Sequence, residues 1–346
     1  MTDERAKCPG GYRGPMAVVL FTCPMDAERR RVLAEKDPGV FEAVILEDLA
    51  EAERSAAWSR ADVVVTMGFG RELPADLATR APRLRMVQTL VAGVDHLPYA
   101  ALPRSLVVCG NAGAYNTSVG EHTMALLLAA AKDIPQRTRE IVAGTFDQSA
   151  PSKALVDATV LLLGMGGIGT TVAGACKAFR MHVIGVGRSG RLVPPADEAG
   201  SLADVPRLLP RADYVVIALP LTAETKGLVD RAFLSAMKED AVLVNIARGK
   251  IMVEDDLYAH LQTHPKFRAA LDVWWVYPNG TAGRPFHRPF HELPNVVMTP
   301  HNANAIPGQR RWAMEAALDN VLRFLRGEGP RNVVDVTEYD TVAEPR

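Results

Sequence analysis

Short apolar runs rich in β-branched residues recur along the chain: AVVLF (17–21), VVVTM (63–67), MVQTL (86–90) and LVVC (106–109), then VLLL (160–163), HVIGV (182–186), YVVIAL (214–219), AVLVNI (241–246), AALDV (269–273) and VVM (296–298). Helix-sized segments separate them. Apolar strands joined by helical crossovers predict parallel sheets buried on both faces, and two successive series predict two doubly wound α/β sheets. A helical pattern at 119–132 (VGEHTMALLLAAAK) falls between the series, and a last long one at about 308–326 follows the second. A chain that leaves its first domain and returns to it at the end explains this order. The expected division is 1–118 with 305–346 in one domain and 119–304 in the other. Residues 1–15 carry Gly, Pro and charge without periodicity and read as a frayed leader without function.

Composition narrows the class. With 346 residues, two domains of ordinary size are expected. The 39 Lys+Arg and 40 Asp+Glu leave a formal charge of −1, so nucleic acid and anionic membrane are not recruited by bulk electrostatics. Hydrophobic content of 48% and charged content of 23% exclude a disordered, collagen-like or coiled-coil chain. Cys8, Cys23, Cys109 and Cys176 lack CxxC spacing, so no zinc site, other metal site or disulfide framework is expected. The apolar stretch Met124 to Ala131 is far short of the ~20 residues of a membrane span. Together with an opening that has no secretory pattern, this points to a cytoplasmic protein.

The first candidate chemistry is a glycine loop. Strand VLLL runs into Gly164, Met165, Gly166, Gly167, Ile168 and Gly169, and TTVAGACKAFR follows with helical spacing. In a strand–turn–helix, Gly164 permits the tight turn, Gly166 lets the backbone approach a pyrophosphate, and Gly169 lets helix pack on strand. The helix N-terminus then holds the anion. The next strand ends in Val186-Gly187-Arg188-Ser189-Gly190-Arg191, where a dinucleotide site usually has an acid for the ribose 2′-hydroxyl or an Arg for a 2′-phosphate. No carboxylate is present. NADP is therefore expected over NAD, with Arg188 and Ser189 as the contacts, although arginines there can also simply solvate a surface loop.

The ordered segments LVAGVDHLP (90–98), NAGAYNTSVGEH (111–122), GMGGIG (164–169), ADYVVIALPLTAETKGLV (212–229), NIARG (245–249), LDVWWVYP (271–278) and TPHNA (299–303) resemble the D-isomer-specific 2-hydroxyacid dehydrogenases over about residues 16 to 335. The resemblance implies a flavodoxin-like, discontinuous substrate domain with an inserted Rossmann-type domain and a site in the cleft. It implies an NAD(P)-dependent oxidoreductase that moves a hydride between nicotinamide and a small 2-hydroxy or 2-keto acid. Arg248 matches the family arginine that holds substrate oxyanions, work suited to a planar guanidinium. His301 matches the acid/base histidine, whose ordinary pKa suits proton traffic near neutrality. Val91, Ala92, Gly93 and Val94 match the loop whose amides hold the substrate carboxylate. Met67 and Gly68, followed by Phe69, are expected to shape the substrate pocket, or to be an ordinary strand-to-loop turn. Pro220, Thr222, Thr225 and Ala247 resemble cofactor contacts, and Asp272 the acid at the nicotinamide amide. His122 reads as a packing residue at a helix N-terminus. The apolar helix from Val119 and the stretch Ile134 to Asp147 match the family's dimerisation region, so a homodimer is expected.

One departure stands out. The family carries a glutamate just before a proline, paired with the catalytic histidine; with Pro278 as the register mark, Tyr277 stands there. A phenol gives no charge to raise the basicity of His301, which is expected to be less basic than in the usual pair. Two other readings stay open on this defect: a dinucleotide-sensing scaffold or corepressor on the same fold, and a formate- or phosphite-type dehydrogenase. The aromatic stretch Trp274 to Phe290 reads as a lid or an interface.

Overall fold

A computed structural model describes residues 16–36, 39–70, 72–278 and 280–339, so the leader expected at 1–15, with Cys8, lies outside the described residues. The chain divides into two units, one made of the described residues up to Tyr115 and from Pro307 onward, the other Asn116–Ile306.

The first unit is built on five parallel strands: β1 (Ala17–Phe21), β2 (Phe41–Ile45), β3 (Val63–Thr66), β4 (Met86–Thr89) and β5 (Val107–Cys109). Their order is β2-β1-β3-β4-β5, the flavodoxin-like arrangement. Side chains alternate between the two faces of a strand. Val19, Phe21, Val63, Val65 and Met86 meet Met314, Ala317, Leu318 and Val321 of the helix Gln309–Leu325, whose buried positions follow the 3–4 spacing of one apolar stripe. The opposite face, with Leu20, Val64, Val87 and Val108, packs on Trp58, Leu77 and Tyr99. The last helix of the chain therefore completes the core of the first unit.

The second unit holds seven parallel strands: β6 (Thr159–Leu163), β7 (His182–Val186), β8 (Glu198–Gly200), β9 (Tyr214–Ile217), β10 (Val242–Asn245), β11 (Arg268–Leu271) and β12 (Val296–Met298). They run β12-β11-β10-β9-β6-β7-β8, the Rossmann order 3-2-1-4-5-6 with a further strand beyond the sixth. The order reverses at β6, which pairs with β7 on one side and β9 on the other. Loops after β6 and β9 therefore flank the switch point, where α/β sheets take ligands.

Two strands, β2 and β8, escape the apolar pattern, and both lie at sheet edges. An edge strand is half solvated and needs no apolar run; Glu42 of β2 forms an ion pair with Arg60. A second difference concerns the helix Asn116–Ala131. Its Met124, Leu126, Leu127, Ala130 and Ala131 are buried within the second unit, against the helix Gly167–Ala178 and strands β10 to β12. Most of the run MALLLAAA thus covers a sheet and a helix, with Ala125 exposed and Leu128 and Ala129 half-buried. In the segment that follows, Ile134, Ile141, Val142 and Phe146 are large exposed apolar side chains. No helix among the described residues is long and apolar enough to cross a membrane.

Candidate active site

The glycine turn after β6 has the shape its spacing demands. Gly164 takes φ +105°, a left-handed conformation that disfavours side chains, and a Cβ there would lie 2.5 Å from the Ala218 carbonyl oxygen. At Gly169 a Cβ would fall on the carbonyl oxygen of Gly164, so strand and helix close tightly only with glycine. At Gly166, the N-cap of helix Gly167–Ala178, a Cβ would meet nothing within 4 Å. That open space over a helix N-terminus fits a pyrophosphate. The Met165 side chain lies against Gly185 of β7, and Ile168 is half-buried in the first turn of the helix.

Beyond β7, the Gly187 amide donates to Gly200 O at 3.0 Å and the Gly190 amide to Gly187 O at 3.1 Å, closing a turn with Arg188 and Ser189 exposed at its tip. After β9, Thr225 Oγ1 donates to Pro220 O at 2.6 Å and accepts from the Thr222 amide at 2.9 Å. Both threonines are buried, so they shape the turn, and Pro220 is its exposed face.

Three neighbouring strands, β10, β11 and β12, deliver the remaining groups from their carboxyl ends. Asn245 ends β10, fully buried; its Oδ1 accepts from the Ala247 amide at 2.9 Å and its Nδ2 donates to Arg248 O at 2.9 Å. This side chain fixes the peptide that carries Arg248, whose Nη1 donates to Ala247 O at 2.7 Å. Glycine at 249 is obligatory, because a Cβ would strike the Trp274 backbone. Asp272 follows β11 and is fully buried. Its Oδ1 accepts from Thr299 Oγ1 at 2.6 Å and the Asn302 amide at 3.2 Å, and its Oδ2 from the Ala303 amide at 3.3 Å. These partners bracket His301, which is exposed and takes φ +57°. A non-glycine residue held there costs of order 1–3 kcal/mol and persists only where its flanks are fixed. The acid expected at the nicotinamide is thus also the anchor of the histidine's loop.

The Tyr277 and His301 rings lie 5.4 Å apart at 53°, and the Trp274 amide donates to Tyr277 Oη at 3.4 Å. At the two ends of the stretch Trp274 to Phe290 the rings pack together: Trp274 lies against Phe286 at 5.4 Å and Trp275 stacks on Phe290 at 5.3 Å. Trp275 Nε1 donates to Met252 O at 2.8 Å, and Glu254 Oε1 accepts from the His287 and Arg288 amides at 2.6 and 3.0 Å. The ring contacts and the bonds from His287 and Arg288 to Glu254 hold the end of this loop against the helix Glu254–Thr263.

His122 is not a mere packing residue, because its Nε2 lies 3.1 Å from Thr299 Oγ1 and 3.4 Å from Asp272 Oδ1. Sequence reading missed Asn245, Thr299 and this role of His122. The signal available was their place inside NIARG, TPHNA and GEH; the contacts join loops far apart in the chain.

In the first unit, carbonyls of the loop after β4 are bonded inward: Leu90 O accepts from Tyr115 Oη at 2.5 Å, Val91 O from the Asn111 amide at 3.0 Å, and Val94 O from Tyr99 Oη at 2.9 Å. A trans peptide points its N–H opposite its C=O, so the amides of Val91 and Ala92 are turned away from the core. After β3, the amides of Met67 and Gly68 donate to Glu72 Oε2 at 2.7 and 3.1 Å. Those two amides are occupied, and Met67 offers its side chain, beside Phe69 stacked on His96 at 4.2 Å.

Residues 124–303 match the family model of the D-isomer specific 2-hydroxyacid dehydrogenase NAD binding domain. The chain is 33% identical to a glyoxylate reductase of Aeropyrum pernix, over 80% of this chain and 83% of that protein. It is 31% identical to a D-3-phosphoglycerate dehydrogenase of Methanocaldococcus jannaschii over 93% of its own length, and spans 60% of that longer protein. An NADPH-dependent glyoxylate/hydroxypyruvate reductase from Sinorhizobium meliloti, solved with NADP and sulfate, superposes with a TM-score of 0.77 at 26% identity, covering 94% of this chain and 100% of that one. The two parallel sheets, the glycine turn at the switch point and these likenesses place the chain in one family: it belongs to the D-isomer-specific 2-hydroxyacid dehydrogenases, NAD(P)-dependent oxidoreductases.

Proposed function

We propose that this protein reduces a small 2-keto acid of the glyoxylate or hydroxypyruvate type to the 2-hydroxy acid, using NADPH in preference to NADH. The observation that carries the reading is the delivery of Arg248 and His301 from the carboxyl ends of β10 and β12, on either side of β11, in the sheet that also holds the glycine turn. The bound nicotinamide supplies the hydride. Arg248 holds the substrate oxyanions and favours the charge that develops on the carbonyl oxygen. His301, protonated, gives its proton to that oxygen. The amides of the loop Val91, Ala92, Gly93 and Val94 are assigned to the substrate carboxylate, and Met67 with Gly68 to its side chain. Asp272 has one acceptor site left on Oδ2 by the count of its bonds, which suits a nicotinamide amide. The Sinorhizobium relative, an NADPH-dependent glyoxylate/hydroxypyruvate reductase, supports both substrate class and coenzyme.

Coenzyme choice rests on the turn after β7. A Cβ at Gly187 would meet nothing within 4 Å, and Arg188 and Ser189 flank that space; a guanidinium there suits a 2′-phosphate and a missing carboxylate removes the usual 2′-hydroxyl acceptor. Assembly as a homodimer through the helix from Val119 and the stretch Ile134 to Asp147, with its exposed Ile134, Ile141, Val142 and Phe146, and a cytoplasmic location belong to the same proposal. A panel of 2-keto acids assayed with both coenzymes tests it: kcat/KM with NADPH is expected to exceed that with NADH, and Arg188→Ala to shrink the ratio by about 10-fold, the loss of a charge-assisted contact worth ~1.5 kcal/mol. An NADH preference, or an unchanged ratio in Arg188→Ala, refutes the coenzyme assignment.

A further inference from the structure

We infer that His122, on the helix Asn116–Ala131, is a positioning residue for His301, acting through Thr299 and Asp272. The inference rests on the proposed reaction, in which His301 delivers the proton.

The hydroxyl of Thr299 has a single hydrogen. It goes to Asp272 Oδ1 at 2.6 Å, so toward His122 Nε2, 3.1 Å away, Thr299 Oγ1 can only accept. His122 therefore carries its hydrogen on Nε2, and the chain runs in one direction: imidazole N–H to threonine oxygen, threonine O–H to carboxylate. The end of that chain is a carboxylate with 1% side-chain exposure, which must be compensated by donors to remain ionised inside the fold. Two of its donors, the Asn302 and Ala303 amides, lie immediately after His301. Before it, Thr299 is pinned by its amide to Leu271 O at 2.9 Å and by its carbonyl, which accepts from Trp274 Nε1 at 2.9 Å. The left-handed φ of +57° at His301 lies between these two clamps.

The helix donor decides where the threonine hydroxyl points. Leu271 O is a second acceptor, 3.5 Å from Thr299 Oγ1. Without an N–H from position 122, the hydroxyl can turn to that carbonyl and leave Asp272 Oδ1 short of a donor. The clamp after His301 then loosens, and the imidazole leaves its place. A misplacement of about 1 Å at a reacting group can cost 10²-fold. Substrate binding by Arg248 is held separately by Asn245, so turnover rather than affinity takes the loss.

Steady-state kinetics of the full-length enzyme, with its best keto acid and NADPH, is the test. His122→Leu and Thr299→Val are each expected to lower kcat by about 10- to 100-fold with KM changed less than about 3-fold, and the double variant to lose no more than the worse single, as for residues acting in one chain. His122→Gln, which restores a side-chain N–H, is expected to stay within about 3-fold of wild-type kcat. Wild-type kcat in His122→Leu, additive losses in the double variant, or His122→Gln as impaired as His122→Leu each overturns the inference. If His122→Leu does not fold, His122→Gln against Thr299→Val gives the same decision. Hydrogen exchange of the Asn302 and Ala303 amides supplies a readout without turnover: it is expected to quicken in Thr299→Val and to stay at the wild-type rate in His122→Gln. A wild-type protein that turns over no keto acid with either coenzyme refutes the proposed reaction, while unchanged exchange in Thr299→Val refutes the positioning chain.

Discussion

The ring of Tyr277, proposed to stand where the family carries a glutamate, lies 5.4 Å from the imidazole of His301. A neutral phenol cannot stabilise an imidazolium by charge, whereas a carboxylate in the same place would. The proposed reduction consumes a proton and uses the protonated histidine, so its rate is expected to fall as pH rises through the apparent pKa. Tyr277→Glu is expected to move that fall to higher pH in the profile of kcat/KM, and Tyr277→Phe to leave the profile nearly in place; an unmoved profile in Tyr277→Glu means another residue faces the histidine. His301→Ala is expected to lower turnover by ~10²–10⁴-fold, and retention of most activity removes the proton-transfer role. Arg248 and His301 are legible as candidates in NIARG and TPHNA because their segments have a fixed order around them. Asn245, Thr299 and His122 are not, since each acts by a hydrogen bond to a residue brought near only by strand pairing or helix packing.

The helix Glu254–Thr263 binds the aromatic loop through Glu254 at its start and hides a titrating ring near its end. His260 stacks on His264 at 3.9 Å and meets Phe267 edge-on at 4.6 Å. Burial, with a smaller contribution from the His264 charge, pushes its pKa down to about 4. The folded form therefore refuses a proton that the unfolded chain accepts between the ordinary value near 6.5 and about 4. Stability from this residue is complete above pH 6.5 and declines as pH falls toward 4. Urea midpoints at pH 7.5 and 5 are expected to differ less in His260→Phe, which keeps a ring and removes the titration, than in wild type; equal differences reject the assignment. At this scale the apolar runs predict ten strands of the two sheets, and β2 and β8 go unseen because edge strands need no apolar signature. The stretch Trp274 to Phe290 reads as a lid or an interface in sequence; in the structure Trp275 stacks on Phe290 and bonds to Met252 O, the rings being buried or half-buried.

For the whole molecule, the exposed Ile134, Ile141, Val142 and Phe146 are more apolar surface than a polar helix face needs. Light scattering at micromolar concentration is expected to give the mass of a two-fold dimer, and Ile141→Asp with Val142→Asp to shift it toward the monomer; a monomeric wild type contradicts the proposal. The near-zero net charge of −1 offers no strong repulsion between copies. From residue order alone came the α/β class, the second strand series with its glycine turn, and the apolar stripe of the long helix Gln309–Leu325. These depend on local patterns: continuous apolar strands, glycines where a Cβ has no room, a 3–4 stripe on Gln309–Leu325. Tertiary structure alone decided where MALLLAAA is buried, which side chains hold the arginine and histidine loops, and that His122 serves Thr299 and Asp272. Such contacts join residues distant in the chain, and no local pattern encodes which parallel strand will stand beside which.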